Sequence, residues 1–181
     1  MTTRGAIFGV VMVGFTSVLG VTRVETQTVS LQAELLKDWS ALKSTMHQIA
    51  AEMPADKYGF RPTDAQQTFG ERVVHIAVVN VALLGLLDGT TTAKPTIDPK
   101  ATAKDAAIKA LDDSFDYGAT LLKQQSDRTM LQAVASPPKF LGPSSRARII
   151  TFLVGHTWDI YGQMVVYLRL NGHVPPASQK M

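Results

Sequence analysis

Apolar side chains recur every three or four positions along four separate stretches of the chain, a spacing typical of amphipathic helices. Pro54 ends the first stretch, and Asn171-Gly172 ends the last. A shorter helix is expected over 127–134. The long helices are predicted over 31–53, 68–88, 102–125 and 144–170. Because no convincing strand pattern separates them, the sequence predicts an all-α fold, an up-down four-helix bundle.

Polar residues mark where three of these helices begin. Thr68 and Glu71 fit a capping box, in which the threonine hydroxyl accepts a backbone N–H and the glutamate reaches back to the cap. The stretch 102–105 repeats this pattern before the third helix, and either Ser144 or Ser145 caps the fourth. These helix starts are therefore expected to be set by local hydrogen bonds.

The N-terminal segment has the pattern of a secretory signal peptide. Arg4 supplies a positive charge, and the apolar, uncharged run 6–21 follows it. This run is shorter than the roughly 20 residues that a membrane-spanning helix needs. We predict a signal peptide over 1–28, with an uncleaved membrane anchor as the alternative, and a folded domain over 29–181. In either case the domain is expected outside the cytoplasm, periplasmic or secreted.

Composition narrows the chemistry further. The chain has 181 residues, 45% of them hydrophobic, which is enough for one domain with one core. Its net charge is only +3 and its basic residues are scattered, so no nucleic-acid partner is expected. Cysteine is absent, which excludes disulfides, thiolate metal ligands and a cysteine nucleophile.

Three stretches carry a resemblance to a known family. They are Met53-Pro54-x-x-Lys57-Tyr58-x-Phe60-Arg61-Pro62, Thr68-Phe69-Gly70-Glu71-x-x-x-His75-Ile76-Ala77, and a C-terminal stretch that begins His156-x-x-Asp159-x-Tyr161-Gly162-Gln163. In order, spacing and helix assignment they resemble the DinB-like (DinB/YfiT) family, over about residues 30–178. The resemblance implies a four-helix bundle, frequently a homodimer, with a divalent metal between two helices.

The family's metal ligands are one histidine from the second helix and a His-x-x-x-His pair from the fourth. His75 and His156 match two of these positions, but Ile160 stands where the third histidine would be. Asp159, beside the vacant position, could supply an oxygen in its place, and the Gln163 amide and the Glu71 carboxylate are the other neighbours that could contribute one. The expected ligands are therefore His75, His156 and Asp159, holding zinc, nickel or iron weakly or not at all, because Ile160 cannot bind a metal.

Two functions remain open from the sequence. In the first, the protein is an exported, metal-dependent hydrolase or transferase with an unknown small-molecule substrate. In the second, it is a metal-free exported bundle that binds a small apolar ligand or a protein partner, and His75 and His156 are hydrogen-bonded buried groups. Trp39 and Trp158 are interpreted as apolar anchors, and His47 as a surface residue. Membrane association is expected only if the N-terminal segment is uncleaved.

Overall fold

The computed structural model describes residues 29–87 and 92–179, so the predicted signal segment lies outside the described residues. Four long helices dominate, and the only strand-like feature in this part of the chain is an isolated bridge between Ala133 and Ser145. The all-α four-helix prediction is confirmed. The helices are α1 (Leu31–Glu52), α2 (Phe69–Leu84), α3 (Lys104–Lys123), the short α4 (Asp127–Met130) and α5 (Arg146–Leu170). None of these helices is long and apolar enough to cross a membrane.

Most predicted helix ends agree with the structure to within two residues, but the ends of α2 and α4 each differ by four. Gly85 is the C-cap of α2, and tight turns continue the chain to Leu87, so α2 ends before the predicted position 88. The short helix α4 ends at Met130 rather than at position 134. Both changes leave the four-helix core intact.

The helix caps are largely those that the sequence predicts. The Thr68 backbone N–H donates to Glu71 Oε2 over 2.7 Å, and the Glu71 N–H donates to Thr68 Oγ1 over 3.2 Å. Ser145, rather than Ser144, caps α5. The second predicted box is wrong, because the N-cap of α3 is Ala103, one residue beyond Thr102, and Ala103 has no side-chain oxygen to accept a hydrogen bond.

Trp39 is the largest fully buried side chain and lies where α1 meets α3. Its indole N–H donates to the Phe115 carbonyl over 2.8 Å, and the two rings lie 4.8 Å apart. Gly118 makes room for it, because a Cβ at that position would lie 2.5 Å from the indole ring. Trp158 is not the second anchor that we predicted. It is 47% exposed, on a part of α5 that faces away from the core.

The helices α2 and α3 run parallel. Gly70 lies against Thr102 near their N-termini, and the Asn80 side-chain amide donates to Ser114 Oγ further along both helices. The predicted up-down order, in which consecutive helices alternate in direction, is therefore wrong for α2 and α3. The nineteen residues 85–103 between them are long enough to carry the chain back along the bundle before α3 begins. The resulting order of directions is up-down-down-up, with α1 and α2 diagonal to each other.

The described part of that connection, residues 92–103, returns along the outer side of α2. Ile97 packs against the core, and Pro99 reaches the N-terminal half of α2. The Thr102 carbonyl then lies so close to Gly70 that a Cβ there would sit 2.1 Å from it. This return brings α3 to the same end of the bundle at which α2 begins.

Candidate functional site

Two histidines meet between α2 and α5. These helices run antiparallel, since the Tyr167 hydroxyl near the end of α5 donates to the Gln67 carbonyl just before α2. His75 Nε2 and His156 Nε2 are consequently 3.3 Å apart, and their ring centroids are 5.3 Å apart. The structure thus brings together two predicted site residues that are separated by 81 positions in the chain.

The surroundings of both imidazoles disfavour the protonated form. Burial lowers the pKa of His75, and the nearby charge of Arg72 lowers it further. Burial also lowers the pKa of His156, with His75 acting in the same direction and the Asp159 carboxylate opposing it. A neutral imidazole has one N–H and one lone pair, so the 3.3 Å contact is suited to a hydrogen bond in which one ring donates to the other.

The second ring nitrogen of His156 differs from the first in its hydrogen bonding. Its Nδ1 atom is buried and has no hydrogen-bond partner within the part of the chain that the structure describes. Histidines that bind metals usually donate their second N–H to a carboxylate or a carbonyl, which fixes the ring and its tautomer. The His156 ring is therefore positioned by packing, and not by such a partner.

Position 160, where the family has a third histidine ligand, is part of the hydrophobic core in this protein. Ile160 is 2% exposed and packs among apolar side chains. Asp159 is exposed, and its carboxylate accepts a hydrogen bond from Gln163 Nε2 over 2.9 Å. Glu71 is engaged in the capping box. Within residues 29–87 and 92–179, no three His, Cys, Asp or Glu side chains are grouped closely enough to hold an ion, and the role of Asp159 stays a prediction.

Solvent reaches the histidine pair from the side of His75. A pocket of about 190 Å³ opens there between α2 and the return segment, with Glu71 and Pro99 in its wall. The pocket is small and partly polar, so water or a small ligand can approach the His75 ring. His156 is flanked differently, by the aromatic side chain of Phe152.

Phe152 lies one helical turn before His156, and the two rings stack with centroids 6.0 Å apart and planes inclined by 23°. Phe152 also lines a pocket of about 400 Å³ with Leu141, Arg148 and Thr151, which we call the Phe152 pocket. Sequence reasoning missed it. The available signals were the four-residue spacing of Phe152 from His156 and the lack of acidic residues across 128–158.

In metal-free protein, we expect the His75 and His156 rings to titrate below the ordinary value of 6.5. The unfolded chain binds these protons more readily than the folded chain. The pair's contribution to stability is therefore present above pH 6.5 and is lost as pH falls through the lowered folded pKa values. NMR titration of the ring Cε1–H signals in the presence of a chelator measures this, with His75→Gln used for assignment. Midpoints at or above 6.5 for both rings would contradict a buried neutral pair.

The fold and the site together define a class, a four-helix bundle with a pair of histidines facing each other between its second and last long helices. Residues 39–164 match the family model described as the DinB superfamily. Because this match spans more than half of the chain, the protein belongs to the DinB superfamily. That assignment confirms the resemblance found in the sequence.

Solved structures show the same fold. A DinB-like protein from Bacillus cereus superposes with a TM-score of 0.64 at 16% identity, covering 80% of this chain and 95% of that one. A DinB-like protein from Bacillus subtilis gives a TM-score of 0.57 at 15% identity, covering 78% of this chain and 94% of that one. At such low identity these likenesses establish the fold alone. No curated protein matches the chain.

Proposed function

We propose that this protein is an exported metal-binding member of the DinB superfamily, in which His75 and His156 hold one zinc, nickel or iron ion. The separation of 3.3 Å between the two Nε2 atoms carries the proposal. Zinc–nitrogen bonds of about 2.0–2.1 Å at a tetrahedral angle place two ligand nitrogens about 3.3–3.4 Å apart. The two imidazoles thus have the spacing that a shared ion requires.

The lowered pKa values support the same proposal, because only a neutral imidazole has a lone pair free for a metal. Two protein ligands are fewer than the three of an ordinary catalytic zinc site, so weak binding is expected. The other coordination positions are left to water, an external ligand or Asp159 after it releases Gln163.

A bound ion would supply Lewis acidity and a water molecule of lowered pKa, the chemistry of a hydrolase or transferase. The chain's own contribution would be to orient the two imidazoles. Burial lowers their pKa values and so favours the unprotonated form, and the pocket beside His75 would give a small substrate access. The substrate itself is unknown.

Export is the second part of the proposal. Its support is the sequence of the first 28 residues, with Arg4 ahead of an apolar run. N-terminal sequencing of the protein recovered from the producing cells tests it. A mature chain that begins between positions 20 and 30 is expected, and a full-length cytoplasmic chain would contradict export.

A metal-free binding protein is the alternative, and one observation favours it. The same 3.3 Å contact satisfies a hydrogen bond between the rings, while Ile160 completes the core where a ligand would be needed. In that case the histidines are structural, and the pockets beside them bind an apolar ligand or a partner.

Zinc affinity of the untagged protein distinguishes the two functions. We expect competition with a chromophoric chelator to reveal one weak site, and we expect His75→Ala and His156→Ala each to reduce its affinity at least about tenfold. His47→Ala is the matched control, because His47 is an exposed histidine of α1 whose ring contacts Asp112 of α3, away from the His75–His156 pair. Equal affinities in all three variants and the wild type would exclude a metal site at the pair.

A further inference from the structure

We infer that the Phe152 pocket binds a small aromatic monoanion, whose ring packs on Phe152 and Leu141 and whose carboxylate or sulfonate pairs with Arg148. The pocket's volume, about 400 Å³, falls within the range of small-molecule sites. Binding itself requires no metal. The inference rests on the proposed function only where it names this ligand class as the substrate presented to the histidine site.

Aromatic surface makes the pocket suited to a flat apolar group. Phe140, on the loop before α5, is 70% exposed, and its ring lies 5.5 Å from that of Phe152. The Phe152 ring in turn stacks on His156. A bound ring would cover apolar area that is otherwise left in water, and offset or edge-on contact with Phe152 would add to the gain.

Charge selects an anion. In the described part of the chain Arg148 forms no salt bridge, and its guanidinium makes one long hydrogen bond, from Nη2 to the Leu141 carbonyl at 3.4 Å. The stretch 128–158 contains no aspartate or glutamate. Its basic residues are Arg128, Lys139, Arg146 and Arg148. A guanidinium without a carboxylate partner, at the edge of an apolar pocket, is a ready site for a bidentate carboxylate or sulfonate.

The position of Arg148 within α5 strengthens this point. Arg146 and Arg148 both lie in the first turn of the helix, where the helix dipole disfavours cations, and no acidic residue accompanies them there. Arg146 is engaged by Gln125 Oε1 over 3.0 Å. Arg148 is thus the guanidinium that a ligand in the pocket would neutralise.

The pocket also sets where the ligand would lie relative to the histidines. Arg148, Phe152 and His156 follow one another at four-residue intervals, so they lie in a row along one face of α5. A ligand anchored at Arg148 with its ring on Phe152 lies next to the side chain that stacks on His156. The ligand class that this geometry favours is an aromatic acid.

Calorimetry with 2-naphthoate, in the presence of a chelator, tests the inference on the full mature protein. We expect saturable binding of 2-naphthoate, with neutral 2-naphthamide binding about tenfold more weakly because it cannot form the charged pair. Arg148→Gln should weaken 2-naphthoate binding by about the same factor. Arg128→Gln is the matched control, since it removes the same charge from an exposed position outside the pocket, and it should leave the affinity unchanged.

Equal losses in the two arginine variants would mean non-specific attraction and would overturn the inference, as would the absence of saturable binding. NMR supplies a second readout, because a ring seated on Phe152 must shift the His156 ring signals. If 2-naphthoate bound without that shift, the assignment of aromatic acids as substrates would be wrong. Since no metal is present, failure here leaves the metal proposal standing, and failure to bind zinc leaves this pocket standing.

Discussion

Replacing Ile160 by histidine should raise zinc affinity at least about a hundredfold over the wild type. Position 160 follows His156 by one helical turn, so the new imidazole would lie on the same face of α5 as the existing one. The Nε2 atoms of the two existing imidazoles lie 3.3 Å apart, and on the proposed function a third imidazole would convert a two-ligand site into a three-ligand one. Competition with a chelator of known affinity measures the change.

The substitution also has a cost that can be measured separately. Ile160 is buried in the core, and a polar ring there should destabilise the metal-free protein by about 1–3 kcal/mol. Zinc should restore that loss, giving a larger rise in melting temperature for the variant than for the wild type. Ile160→Asn is the control, being polar and of similar size without an imidazole. If Ile160→His bound zinc no better than Ile160→Asn, the histidine pair would not be arranged for a metal.

Replacing Trp39 by alanine should lower the free energy of unfolding by about 3–5 kcal/mol. The indole is fully buried, contacts Phe115, and fills the space that Gly118 leaves open. Its loss would create a cavity between α1 and α3 and leave the Phe115 carbonyl without the indole donor. A change of this size is a large fraction of the stability of an ordinary domain. Guanidinium denaturation followed by circular dichroism measures it.

The chain offers an internal control, since it has only two tryptophans. Trp158 is 47% exposed and makes an edge-on contact with Tyr161, whose ring is 5.2 Å away. Trp158→Ala should therefore cost less than about 1 kcal/mol. Comparable losses for the two variants would show that the Trp39 contact does not dominate the packing of α1 against α3.

Helix positions could be predicted because they depend on local signals. The period of apolar residues located all four long helices, and the Thr68–Glu71 capping box lies where its motif predicted. The parallel arrangement of α2 and α3 could not be predicted this way. It depends on how residues 92–103 pack along α2, which no local pattern encodes.

The candidate site also has features that the sequence could predict and features that it could not. The meeting of His75 and His156 came from the family resemblance, since nothing in their spacing reveals that α2 and α5 bring them together. Trp39 is buried and Trp158 is exposed because of how α1 and α5 pack in the bundle. The residue type is the same at both positions, so the sequence does not reveal this difference. The Phe152 pocket exists only because the loop before α5 places Leu141 beside Phe152. The Pro and Gly residues of that loop predict an irregular segment but not the path it takes.

An anomalous difference map from zinc-soaked crystals, recorded at the zinc absorption edge, tests the shared ion most directly. The expected result is one peak between the side chains of residues 75 and 156, about 2.0–2.1 Å from each Nε2 atom. A map with no peak there, while the two nitrogens remain in direct contact, would contradict the proposal and identify the pair as a hydrogen bond within the bundle.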